Sequence, residues 1–99
     1  MLDLAAIEGF DWDDGNSRKS LEKRDVNQAE AEQVFAGEPL IAQDVKHSQD
    51  DVRFQALGET IEGRKLHVTF TLRHDDKKVR IISARDMNRK ERAVYEQAT

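Results

Sequence analysis

The chain contains no cysteine, a single proline, one tryptophan, one tyrosine and four phenylalanines. Without cysteine, disulfides and thiolate metal sites are excluded. So few aromatic residues leave little material for a base-stacking platform, which argues against a freestanding single-strand nucleic-acid-binding domain. No apolar run approaches the roughly 20 residues that cross a bilayer. Residues Met1 to Gly9 are acidic and lack the basic start and long apolar stretch of a secretory signal. A cytoplasmic protein without membrane contact is therefore expected. There is no Gly-rich phosphate loop and no Gly-x-Ser-x-Gly element, so neither nucleotide hydrolysis nor serine catalysis has support.

What is present is charge. Of the 99 residues, 36% are charged against 37% apolar, with a net charge of −4. That length suits one small core. An acidic total argues against phosphate binding, which is driven by cations that displace counterions, but the charge is unevenly placed. Met1 to Gln49 carries 5 Lys and Arg against 11 Asp and Glu, whereas Asp50 to Thr99 carries 11 against 9. Within the second half, Arg73, Lys77, Lys78, Arg80, Arg85, Arg89, Lys90 and Arg92 fall in one predicted hairpin and helix. A local basic surface on an acidic protein follows.

Leu66 to Arg73 alternates strictly, with Leu66, Val68, Phe70 and Leu72 on one side and His67, Thr69, Thr71 and Arg73 on the other, the pattern of a half-buried antiparallel strand. His74-Asp75-Asp76-Lys77 is a short polar hairpin loop leading to a Val- and Ile-rich strand over Lys78 to Ala84. Arg53 to Glu59 and Leu40 to Asp44 complete an antiparallel meander, with a turn at Glu62-Gly63. Asn27 with Glu30, and Asn88 with Glu91, are two capping boxes. They start helices over Gln28 to Ala36, which turns Ala31, Val34 and Phe35 inward, and over Arg89 to Ala98, which buries Val94 and part of Tyr95. A further, poorly apolar helix is expected near Gly15 to Lys23. Phe70, Ile81, Val34 and Trp12 are the expected core. The sum is an α+β domain over residues 10–99, a small antiparallel sheet with helices before and after it packed on one face, preceded by a nine-residue extension.

Several short motifs occur in order: Phe10-Asp11-Trp12-Asp13, Asn16, Lys23-Arg24-Asp25-Val26, Ala31-Glu32-Gln33-Val34-Phe35, Glu38-Pro39, Asp44 with His47, Arg53-Phe54, Leu57-Gly58, and Arg80-Ile81-Ile82-Ser83-Ala84-Arg85 running into Asn88-Arg89-Lys90-Glu91-Arg92. The series resembles the BrnT family, the toxin half of a bacterial type II toxin–antitoxin pair, from Phe10 to Tyr95. The resemblance implies a fold related to RelE-type ribonucleases and growth arrest through RNA cleavage without a cofactor. It also implies a BrnA-like antitoxin with a ribbon-helix-helix portion, in a complex of two toxins and two antitoxins, where DNA contact belongs to the antitoxin. Three positions depart from the family pattern: Arg24 replaces a histidine, Asp25 a glycine and Val52 an acidic residue. Losing that histidine removes a candidate acid or base, so the alternative is a catalytically inactive antitoxin-binding scaffold.

Cutting RNA without a metal requires activation of the 2′-hydroxyl, a proton for the leaving oxygen, and cations around a strongly negative transition state. Guanidinium groups suit the last task, being planar, bidentate and always charged. Arg53, Arg73, Arg80 and Arg85, on or at the ends of adjacent strands, are the candidates, expected to converge on one surface. Their bland alternative is surface pairing with Asp51, Asp75, Asp76 or Asp86. His67, on the polar side of a central strand, and His47, through the family's Asp-x-x-His pattern with Asp44, are candidates for proton transfer. His74 reads as loop surface. Lys23, Arg89 and Arg92 are candidate RNA contacts. No metal is expected, because neither the His67 and His74 pair nor Asp11, Asp13 and Asp14 has the spacing of a ligand set.

Overall fold

The structure, a computed structural model, describes residues 4–13, 26–44 and 52–98. The expected helix near Gly15 to Lys23 lies outside the described residues, as do His47, Asn16, Arg24 and Asp25. Five strands form one sheet in the order β1-β5-β4-β3-β2: β1 Gly9–Phe10, β2 Leu40–Asp44, β3 Arg53–Glu59, β4 Lys65–Arg73 and β5 Lys78–Asp86. Strands β2 to β5 are the antiparallel meander read from the sequence. β5 extends two residues past its predicted end, through Arg85 and Asp86. β1 pairs parallel to β5, with Gly9 opposite Lys78 and Phe10 opposite Val79. Two residues are too few to show an alternation, and this strand was not predicted.

Helix α1 spans Gln28–Ala36 and helix α2 spans Arg89–Ala98. Both capping boxes form: Asn27 Oδ1 accepts from Glu30 N at 2.8 Å and Asn88 Oδ1 from Glu91 N at 2.8 Å, while each glutamate returns a bond to the asparagine's backbone. Such a cap typically contributes about 1 kcal/mol. α1 lays Ala31 and Val34 onto the sheet, where Leu66, Val68, Phe70, Val79, Ile81 and Ala84 are buried. Phe35 makes edge contacts with Phe10 at 5.6 Å and Phe70 at 4.9 Å, and Phe70 stacks on Phe54 at 5.4 Å. Trp12 is half-buried against this core and donates Nε1 to Glu32 at 2.6 Å.

Gly58 lets α1 approach, since a Cβ there would lie 2.8 Å from Val34 Cγ1 and 3.3 Å from the Pro39 ring. At the same end, Arg64 donates to Glu30 on α1 and to Asp86 on β5, the latter at 2.7 Å. This fork fastens helix, turn and strand together. It holds the Asp86 carboxyl below its ordinary range.

The two helices do not share a face. α1 covers the side bearing Leu66 and Val68, whereas α2 reaches His67 and Arg85, whose side chains alternate to the opposite side. α2 also inverts one expectation. Tyr95 is buried but Val94 is 53% exposed. Glu91 and Tyr95, four apart, form the inward stripe, and Val94 sits about 100° around the helix from Tyr95.

Candidate functional site

The sheet face opposite α1 is organised in rows by strand register. One row, away from α2, runs Asp44, Arg53, Thr71, Arg80 across β2, β3, β4 and β5. Asp11, just past β1, completes it, with Oδ1 at 3.7 Å from Arg80. The next row is neutral: Ala42, Gln55, Thr69, Ser83. The third is Leu40, Leu57, His67, Arg85, and α2 lies over its His67 and Arg85 end. Arg53 and Arg80 flank Thr71 on either side, so their backbones stand two strand spacings apart, roughly 10 Å. Thr71 is buried and donates Oγ1 to the Val52 carbonyl at 2.7 Å, holding the start of β3 against β4.

A bulge makes this arrangement possible. Phe70 pairs with Ile81 but Thr69 with Ser83, so the register shifts by one residue at Ile82. Beyond it the alternation of β5 is reversed. Val79, Ile81 and Ala84 face the core, while Arg80, Ser83 and Arg85 face the other way.

Arg80 is forked by Asp13, with nitrogen to oxygen distances of 3.0 and 3.1 Å. That hydrogen bonding raises its pKa, with Asp11 adding to it. Asp13 is 56% exposed, so solvent screens the pair and its contribution to stability is small. Asp11 also faces His74, whose Nε2 lies 3.6 Å from Asp11 Oδ2. His74, Asp75 and Asp76 all have positive φ, at 56°, 58° and 64°. Each such residue without the freedom of glycine costs about 1 kcal/mol, less for Asp and His than for most. Arg73, next in sequence, ends β4 opposite Lys78.

At the other end, Arg85 is forked by Glu91 with two bonds of 2.8 Å. Glu91 Oε1 also accepts the Asn88 N–H of the cap at 3.0 Å, and Oε2 lies 3.7 Å from His67 Nε2. Arg85 foremost, helped by the Asn88 N–H, holds the Glu91 carboxyl at about 2. Burial pushes the His67 imidazole below its ordinary pKa, and Arg85 pushes it the same way against the opposing pull of Glu91. His67 Nδ1 is buried with no hydrogen-bond partner among the described residues. Lys65 with Glu96 at 3.8 Å, and Tyr95 with Glu59, extend the attachment of α2.

The sequence candidates thus divide. Arg53, Arg73 and Arg80 gather at one end of the face. His67 and Arg85 sit four residues farther along β4 and its partner, roughly 13 Å away, beneath α2. Arg89 and Arg92 are exposed on α2. Lys23 and His47 are outside the described residues. The His74 and Asp11 contact escaped sequence reading, because a loop residue and a residue of an unrecognised strand carry no common spacing. Glu91 was read only as a cap.

The fold is that of a small α+β protein with several arginines ranked across one sheet face. The family model described as "Ribonuclease toxin, BrnT, of type II toxin-antitoxin system" matches residues 12–91, and the chain belongs to that family. No curated protein matches it. Among the described residues no helix is long and apolar enough to cross a membrane.

Proposed function

We propose that the chain is an active endoribonuclease toxin that cuts cytoplasmic RNA without a metal and arrests growth until a BrnA-like ribbon-helix-helix antitoxin binds it, two copies of each in the complex. The observation that carries this reading is the row Arg53, Thr71, Arg80 across three strands, with Arg73 one step beyond on β4. Rigid strands hold the guanidinium groups at fixed spacing. A phosphodiester laid along the row meets charge that needs no reorganisation as the transition state forms. In this reading Arg53, Arg73 and Arg80 contact phosphate. Arg85 and His67 support α2, because the Arg85 fork is filled by Glu91 and His67 is buried. Lys23, Arg89 and Arg92 are RNA contacts in this reading, and His47 remains a candidate for proton transfer.

A second reading, an inactive antitoxin-binding scaffold, draws on one observation: both the Arg80 and the Arg85 forks are occupied by carboxylates of the same chain. Labelled RNA incubated with the purified chain in chelator separates the two. Cleavage that disappears in Arg73→Ala supports the toxin reading. Intact RNA with a folded chain that still binds the neighbouring antitoxin supports the scaffold.

A further inference from the structure

The two turns that flank β4 solve the same problem differently. Between β3 and β4, the left-handed position is given to Gly63, at φ 89°. Between β4 and β5, three successive left-handed positions go to His74, Asp75 and Asp76. Glycine adopts that conformation at no steric cost. A side chain kept where glycine is cheaper is a place to look for function. Of the three, His74 has a defined partner: its Nε2 is 3.6 Å from Asp11 Oδ2, and the other oxygen of that carboxylate is 3.7 Å from Arg80. His74 is 65% exposed, so its ring is reachable from solvent, unlike that of His67.

We propose that His74 is the catalytic base of RNA cleavage and that Asp11 positions it beside Arg80. The inference rests on the ribonuclease reading above and adds a residue to it. With its hydrogen on Nε2 toward the Asp11 carboxylate, the neutral imidazole presents a lone pair at Nδ1; this assigns a tautomer from the partner it faces. Nδ1 takes the proton of the ribose 2′-hydroxyl, and the freed oxygen forms a bond to phosphorus. The bond from phosphorus to the 5′-oxygen breaks, its electron pair leaves with that oxygen, and water protonates it. The products are a 2′,3′-cyclic phosphate and a 5′-hydroxyl, and the imidazolium returns its proton to solvent. Arg80 and Arg73, on either side of the hairpin, face the charge that builds on the non-bridging oxygens.

The left-handed backbone supplies a test that a structural role fails. His74→Gly removes the side chain and relieves the φ strain together, so the variant should melt about 2 to 6 °C higher than the parent. Its turnover of RNA should fall on the order of a hundredfold or more, and added imidazole should restore a measurable part of that loss. Asp11→Asn should lower turnover with the fold intact. If His74→Gly cuts RNA at the parental rate, or if its lost rate does not respond to imidazole, His74 is not the base, whatever the standing of the ribonuclease reading. A parent chain that cuts no RNA removes that reading and this inference with it.

Discussion

Arg80 and Arg85 point to the same side of the sheet although they stand five positions apart, an odd number, on one strand. On a regular strand they would face opposite ways. The bulge at Ile82 between them reverses the alternation and leaves Val79, Ile81 and Ala84 all in the core. Deleting Ile82 would leave Arg80 and Arg85 four positions apart, an even number that keeps both on one side and Val79, Ile81 and Ala84 inward, so the shortened chain should retain a cooperative thermal transition. Ile82→Val, which keeps the register, should cost only about 1 kcal/mol.

Asp13 fills the Arg80 fork much as a phosphate would. Asp13→Asn should free it at little cost in stability, since the carboxylate is mostly solvated. RNA binding by the variant should tighten severalfold, with a steeper dependence on salt. Affinity that is unchanged or weaker would mean that phosphate does not use this fork.

Arg85 and Arg73 should separate fold from rate. Arg85→Ala strips Glu91 of its two 2.8 Å bonds and loosens α2, with an expected loss of about 3 kcal/mol in denaturant unfolding. Arg73→Ala should leave the unfolding midpoint nearly unchanged yet reduce cleavage on the order of a hundredfold. Equal stability for the two variants would remove the supporting role given to Arg85.

His67 makes stability depend on pH. Its folded pKa lies below the unfolded value of about 6.5, so between the two the unfolded chain binds a proton that the folded chain refuses. Its contribution is complete above about 6.5 and falls as pH drops below it, by up to about 1.4 kcal/mol per unit. Glu91 acts farther down: its contribution is present above the usual glutamate range and is lost as pH falls toward about 2. Denaturant unfolding followed from pH 8 to 5 should show the first slope, and His67→Gln should flatten it.

Gly58→Ala should cost about 1 to 3 kcal/mol, because the new methyl meets Val34 at 2.8 Å and the Pro39 ring close behind. Thermal melting gives the value directly.

Elements with a period or a cap were legible in the sequence. Leu66 to Arg73 alternates, and Asn27 with Glu30 and Asn88 with Glu91 mark helix starts. These features act over two to four residues, within the reach of pattern reading. What escaped was non-local or aperiodic. The Gly9–Phe10 strand is defined by its partner, β5, rather than by its own residues. The bulge at Ile82 breaks the very period used to find strands, so a shared surface for Arg80 and Arg85 did not follow from the spacing that suggested it. Val94 looked apolar and therefore inward, but the sheet offered Arg85, and Glu91 took the inner stripe to meet it. Expected convergence of all four arginines likewise ignored distance along the strand, roughly 13 Å between the Arg80 and Arg85 rows, and the Glu91 fork that engages Arg85.

The parallel pairing of the first strand with the last sets an order of events during synthesis. Asp13 and Arg80 are 67 residues apart in the chain yet share a fork. A nascent chain carries Asp11 and Asp13 well before the hairpin and Arg80 are added. The Arg80 fork, and the β1 pairing beside it, can therefore close only after the β4–β5 hairpin has been made.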